Sequence, residues 1–236
     1  MSEDAARAYA DELVSRLRAV LGDELVGVYL IGSLALGGYE PGRSDVDVAV
    51  VVERPLSVEQ KEALVASCRH EALHCPARKL ELVVSVPERL PDFELNLNTG
   101  ELEFHVDFAP EPSSAFWFVI DASIARVAAV PLLGPAADEV IPELPRPVVE
   151  QALRAAIRWQ LDNRVPPDDL VLNACRAHRF LNEGVWTSKL AAADWALTNL
   201  PSPDVVRAAL AERSGTHGAL HPRAAASFAA ALFDLS

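Results

Sequence analysis

Basic side chains are scarce in this chain: 21 Lys and Arg stand against 34 Asp and Glu, a formal net charge of −13 over 236 residues. A nucleic-acid surface needs clustered cations to displace counterions from phosphates, and this deficit argues against one. The acidic excess suits a cationic partner or substrate instead. Cysteine is sparse too. Cys68, Cys75 and Cys175 are odd in number and show no disulfide-framework spacing, so a reducing cytoplasm is the expected setting. The opening MSEDAARAYADELVSRL lacks both the basic and the apolar region of a secretory signal. No stretch approaches about 18 uninterrupted apolar residues, so no membrane-spanning helix is expected. No repeat of fixed period is visible. What the chain does have is apolar content, 50% of its residues, enough for a sizeable core and too much for a disordered chain.

The pattern changes character along the chain. Ala6, Tyr9, Ala10, Leu13, Leu17 and Val20 recur at helical spacing and predict a helix over 3–21, stopped at Gly22. Short β-branched runs predict strands over 24–31, 45–52 and 79–86, and the alternating ELEFHVDF a fourth over 101–108. A brief helix is expected at 33–36 with Ser33 as its cap, and a longer one at 57–69 capped by Ser57. Residues 116–129 read as an apolar helix, its run Phe116-Trp117-Phe118 expected in the core. PELPRP, residues 142–147, reads as a domain boundary. Beyond it the periodicity is helical over 148–162, 168–182, 187–199, 203–213 and 222–234. The expectation is an α/β (α+β) domain over 1–145 followed by an all-α helical bundle over 146–236.

One loop admits two phosphate-site readings. GSLALGGYEPGRSDVD, residues 32–47, contains GGYEPGRS, one residue short of a P-loop. A P-loop needs Lys where Arg43 stands, and a helix after it whose N-terminus faces the phosphate. Here DVDVAVVV follows, a strand with no helical period. The competing reading uses the ends of the loop. In a strand, residues i and i+2 share a face, so Asp45 and Asp47 point the same way. Two close carboxylates repel unless a cation lies between them, and hard oxygen ligands suit Mg²⁺, which shares its remaining positions with waters and substrate phosphates. Upstream, Gly32 permits close backbone approach to a phosphate, and Ser33 offers a hydroxyl and an amide. An isolated D-x-D is ordinarily a solvated strand face; here the Gly-Ser turn and the buried AVVV run flank it.

GSLALGGYEPGRSDVDVAVVV resembles the GSxAxG…SDxD signature of the DNA polymerase β-like nucleotidyltransferase superfamily, and RAHRFLNEGVWTSKLAAADWALTNLP, residues 176–201, resembles the helical domain of aminoglycoside adenylyltransferases of the streptomycin 3″/spectinomycin 9 type. The resemblance spans most of the chain and is weak over about 90–130. It implies a nucleotidyltransferase domain with a mixed sheet, and transfer of AMP from ATP to a hydroxyl of an aminoglycoside, with release of pyrophosphate. Asp45 and Asp47 would hold Mg²⁺, and Gly32 and Ser33 would bind phosphates. Glu81, in an otherwise apolar strand, is from its neighbours alone either the solvent side of an edge strand or a functional carboxylate; the resemblance makes it the general base. Arg176 and Lys189 match family residues that reach across to the nucleotide, so that the two domains close on ATP, which would then bind first. Trp159, Asp162, Asp168 and Asp169 fall near family residues that contact the cationic drug; a core Trp and helix-capping acids are the alternative.

The cluster Cys68, His70, His74 and Cys75 suggests a metal site but has no second ligand pair at zinc spacing nearby. His105 alternates in a strand and fits a packed or an exposed position equally, and Cys175 in an apolar helix is read as a buried small hydrophobe. A monomer in the cytoplasm is expected. The rival reading within the superfamily is transfer to another small hydroxylated acceptor or to a protein, as in its antitoxin branch. The roughly 90 residues after Pro147 count against the protein acceptor.

Overall fold

The computed structural model describes residues 3–109, 115–215 and 220–235. They form two compact units, one up to Pro145 and one from Arg146.

The first unit is built on a mixed sheet with six strands among the described residues, in the order β5-β4-β3-β2-β1-β6. These are β1 (Leu25–Leu30), β2 (Val46–Val52), β3 (Lys79–Ser85), β4 (Leu95–Gly100), β5 (Phe104–Asp107) and β6 (Val130–Leu133). β2 and β3 run parallel, and every other neighbouring pair is antiparallel. Strand alternation sorts the side chains into two layers. Val46, Val48 and Val50 of β2 and Leu80, Leu82 and Val84 of β3 are fully buried on one face. There they meet Tyr9, Leu13 and Leu17 of α1 (Glu3–Leu21) and Leu64 of α3 (Val58–Cys68). α3 opens with a reciprocal cap: Ser57 Oγ accepts from the Gln60 amide at 3.2 Å, and Gln60 Oε1 accepts from the Ser57 amide at 2.9 Å. The opposite face carries Val51, packed with Tyr29, Ile31 and Ala125 of α4 (Ala115–Ala128) and with Ala137 of α5 (Ala137–Val140). This second face also bears the odd-numbered residues Asp47 and Glu81, so the apolar layer beneath fixes which way both acids point.

Several expectations need correction. The strand expected over 101–108 is the shorter β5, Phe104–Asp107, and it is the second arm of a hairpin whose first arm, β4 (Leu95–Gly100), was not expected. β4, LNLNTG, buries Leu95, Leu97 and Thr99 on one face while its Asn residues face the other way. β6, which contains Pro131, was not expected; it is an edge strand, the position in a sheet where proline is tolerated. Ser33 is not a cap. The short helix α2 starts at Gly32 (Gly32–Ala35) with Ile31 at the N-cap and no side-chain cap bond. Phe116, Trp117 and Phe118 are half-buried; Phe116 and Trp117 lie ring to ring, and Phe118 packs on Phe93.

The second unit is all-helical: α6 (Arg146–Asp162), α7 (Pro167–Glu183), α8 (Lys189–Asn199), α9 (Pro203–Arg213) and α10 (Pro222–Leu232). α6 buries Val149, Ala152, Leu153, Ala156, Ile157 and Gln160, a stripe at 3- and 4-residue spacing. α7 ends at Gly184, whose left-handed φ of 70° lets its amide turn back to Phe180 O at 2.8 Å. α8 is capped by Ser188, which accepts from the Ala191 amide at 3.2 Å. Among the described residues no helix is long and apolar enough to cross a membrane.

Candidate active site

Antiparallel pairing of β1 with β2 sets Leu30 opposite Val48, and the Ile31 amide donates to Asp47 O at 3.0 Å. That brings Gly32-Ser33, at the end of β1, against the Asp47 side chain. Gly32 has φ +60°, and a Cβ built there would lie 2.0 Å from Asp47 Oδ2. No other residue fits this contact. The Ser33 amide donates to the Asp47 carboxylate, while Ser33 Oγ is buried without a hydrogen-bond partner. On the other side, parallel pairing sets Asp47 in register with Glu81. Loop ends far apart in the sequence thus meet at one place on the sheet.

The electrostatics of this place are uneven. Burial pushes the Asp47 carboxyl well above the usual carboxylate range; the charges of Glu81, Asp121 and Asp45 push the same way, and only the Ser33 amide opposes them. Glu81 receives Lys79 Nζ at 2.8 Å, and Lys79, itself buried, also reaches Glu103 Oε1 at 2.8 Å and Asn98 Oδ1 at 3.3 Å. Asp45 lies one residue before β2. Its two oxygens accept from Arg78, from Nε at 2.8 Å and from Nη2 at 2.6 Å. Asp121, on α4, lines an apolar recess with Ala49, Val83 and Phe118, along the sheet face that bears Asp47.

Among the described residues, no three His, Cys, Asp or Glu side chains already converge on a point that could hold a metal ion. The donor set nevertheless fits Mg²⁺. Asp45, just before β2, and Asp47, within it, are hard oxygen donors close enough for their charges to act on one another, and Mg²⁺ is commonly held by one or two carboxylates with water and substrate phosphates completing it. Lys79 and Arg78 bond Glu81 and Asp45, but Asp47 itself is opposed by three acids and held by one amide, and Ser33 Oγ beside it is a buried polar atom without a partner.

In the helical unit, Arg176 and Lys189 come close enough for each to feel the other's charge. Burial draws the Lys189 ammonium down, and Asp169 partly restores it. Asp169 Oδ1 accepts from Lys189 Nζ at 2.8 Å and from Arg213 Nη1 at 3.0 Å. Burial raises the Asp169 carboxyl, but the two cations outweigh it and leave it below its ordinary value. Asp168 is buried, 3.9 Å from Arg213. Arg176 Nη2 reaches Asn173 Oδ1 at 3.5 Å, and Asn173 Nδ2 donates to the buried Gln160 at 2.8 Å. Of the four residues read as drug contacts, Trp159 and Asp162 present exposed surface near the end of α6, whereas Asp168 and Asp169 face cations of their own unit.

Comparison with known proteins follows the same division. Residues 11–122 match the nucleotidyltransferase domain, and residues 136–233 match the C-terminal domain of aminoglycoside adenylyltransferases. A spectinomycin 9-adenylyltransferase of Staphylococcus aureus is 29% identical over 216 residues, which cover 86% of this chain and 82% of that protein. An aminoglycoside (3'') (9) adenylyltransferase of Escherichia coli is 30% identical over 213 residues, covering 81% of this chain and 78% of that one. The chain belongs to the aminoglycoside adenylyltransferase family. It is accordingly an enzyme of the nucleotidyltransferase type. The spectinomycin adenyltransferase AAD(9) from Enterococcus faecialis, solved with ATP and spectinomycin, shares its fold with this adenylyltransferase, with a TM-score of 0.74 over 98% of both chains at 19% identity.

Four charged residues of the adenylyltransferase escaped the sequence reading. Lys79 was findable, since it sits two residues before Glu81 in a strand and must share its face. Arg78, Asp121 and Arg213 reach their partners only through the tertiary fold. One prediction arises here. Gly32→Ala is expected to destabilise the first unit by about 1–2 kcal/mol through its left-handed backbone. It should also cut turnover about 10²-fold, because the methyl must push the Asp47 carboxylate aside. Thermal melts and initial rates on the same preparation check both halves.

Proposed function

We propose that this adenylyltransferase transfers AMP from ATP to a hydroxyl of a spectinomycin- or streptomycin-type acceptor, in a Mg²⁺-dependent reaction. The observation that carries the mechanism is the in-register pair Asp47 and Glu81 on parallel strands, with Gly32-Ser33 against the same carboxylate. Transfer requires an acceptor hydroxyl to attack the α-phosphorus of ATP and pyrophosphate to leave from the opposite side. Bound Mg²⁺ would supply charge neutralisation on the phosphates, held by Asp45 and Asp47. The Ser33 hydroxyl and the amides of the Gly32 turn suit phosphate oxygens. Glu81 takes the acceptor proton as the O–P bond forms. Lys79, bonded to the Glu81 carboxylate, orients it and balances its charge before the proton arrives.

From the helical unit, Arg176 and Lys189 would meet nucleotide phosphate oxygens, and Trp159 and Asp162 the cationic acceptor. Asp169, already bonded to Lys189, would act as the holder of that cation. Lys189→Met is then expected to raise KM for ATP about tenfold, the worth of a charge-assisted hydrogen bond, with a smaller effect on KM for the acceptor. A substitution that raised only the acceptor KM would place Lys189 on the wrong substrate.

The deciding experiment is pyrophosphate release from ATP-Mg²⁺ across an aminoglycoside panel, with mass spectrometry of the acceptor. Spectinomycin or streptomycin should stimulate release and gain one AMP. If no aminoglycoside stimulates release, the acceptor assignment fails. A small hydroxylated compound of another class, or a protein, would then be the acceptor to seek.

A further inference from the structure

Asp45, Asp47 and Glu81 meet their charge in three different ways. Glu81 is bonded by Lys79. Asp47 is acted on by further acids and held by one amide. Asp45 is gripped on both oxygens by the Arg78 fork, at 2.8 and 2.6 Å. The Asp45 side chain is only 11% exposed, so the guanidinium, not water, satisfies it, while the Arg78 side chain is 60% exposed. Arg78 is anchored next to β3, with a long arm that can leave into solvent at little cost.

We propose that Arg78 is a placeholder for the divalent cation: it occupies Asp45 in the metal-free chain and is expelled when the metal binds, so that metal entry and Arg78 release are a single exchange. The proposal rests on the reading that Asp45 and Asp47 hold the metal. A cation bound to a carboxylate oxygen at about 2.1 Å would sit within a few ångströms of a guanidinium that bonds both oxygens, and the like charges cannot share the group. Arg78 has somewhere to go, and Asp47 has no such internal cation among the charges acting on it. The two acids therefore do different things in the metal-free state. Asp45 lies under the Arg78 fork, and Asp47 is held by the Ser33 amide. The exchange keeps this acidic site from standing as bare, mutually repelling carboxylates between turnovers, and it leaves Arg78 free at the rim once the metal is in.

The test uses the full chain without nucleotide. Mn²⁺ binding is followed by the loss of its free-ion electron paramagnetic resonance signal, for the wild type, Arg78→Met, Arg78→Lys and Asp45→Asn. Arg78→Met should bind Mn²⁺ about fivefold more tightly, the upper worth of a partly exposed ion pair, and Asp45→Asn should bind much more weakly. Losing one positive charge could by itself tighten binding, so a second readout follows the arginine directly. The Arg78 Nε–H resonance, assigned by its absence in Arg78→Lys, should shift to the position of a solvated arginine as Mg²⁺ is added. It should already lie there in Asp45→Asn without metal. If that resonance stays in place at saturating Mg²⁺ and Arg78→Met leaves Mn²⁺ affinity unchanged, the exchange is wrong while the metal site stands. If neither the wild type nor Arg78→Met binds Mn²⁺ at millimolar concentration, the metal reading beneath the proposal fails with it.

Discussion

Asp47→Asn is expected to cut transfer by about 10²-fold or more and, in metal-free protein, to raise the melting temperature. The first effect follows from the proposed role. Removing a metal-holding carboxylate forfeits several kcal/mol of transition-state stabilisation, on the order of 10²–10³-fold or more in rate. The second comes from electrostatics. Burial and the charges of Glu81, Asp121 and Asp45 raise the Asp47 carboxyl well above its ordinary range in the folded chain. A carboxyl raised on folding disfavours the fold once it ionises. Its cost is absent below the unfolded-chain value, grows as pH climbs through the interval up to the folded value, and is complete above it. Asn keeps an oxygen for the Ser33 amide and carries no charge. With chelator present near pH 8, the variant should therefore melt a few degrees higher than the wild type. The gap should narrow on acidification. It should narrow also when Mg²⁺ is added, which stabilises only the form that binds it. Paired melts at two pH values, with and without metal, check this. A variant that melts lower than the wild type in chelator at pH 8 would refute the electrostatic account, whatever its activity.

Glu81→Gln should lower kcat by about 10²–10⁴-fold, the span for loss of a positioned base, and leave ATP affinity within about twofold of the wild type. Gln fills the same volume and can still meet Lys79, so folding should survive; it cannot take the acceptor proton. Glu81 is suited to that task by position. It stands in register beside Asp47 and keeps solvent access, with its side chain 39% exposed, where an incoming hydroxyl can reach it. Single-turnover rates at saturating ATP and acceptor separate this effect from binding. If turnover falls less than about tenfold, the proton leaves by another route, and Asp121 on α4 becomes the next carboxylate to test.

The elements that periodicity or capping marks most strongly were legible in the sequence. α1 shows six apolar residues at helical spacing, α3 shows its Ser57 and Gln60 box, and β2 and β3 show continuous β-branched and leucine-rich runs. β4 was not, because its asparagines are poor strand formers in isolation and become tolerable only when β3 and β5 flank them. β6 was hidden by Pro131, a residue that an edge position accepts. The two-residue period of a strand expected over 45–52 suggested that Asp45 and Asp47 lie near each other; β2 begins at Val46, and the Asp45 charge acts on Asp47. The adjacency of Glu81 to Asp47 did not, since it depends on a parallel register that no local pattern encodes. The Arg78 fork on Asp45 spans 33 residues of sequence and also depends on β3 lying beside β2.

That same parallel register constrains how the gene can change. Val46, Val48 and Val50 alternate with Asp47 and Ala49, and Leu80, Leu82 and Val84 alternate with Glu81 and Val83. A one-residue slip of β3 against β2 would turn Glu81 into the apolar layer and put Leu80 or Leu82 in its place. The core therefore proofreads the site: a misregistered chain cannot keep its hydrophobic layer intact, so it is lost as a folded protein before it can persist as a poor enzyme. Insertions and deletions should accordingly be selected against within β2 and β3, and be better tolerated at the exposed Glu71 and Ala72 in the connection between α3 and β3.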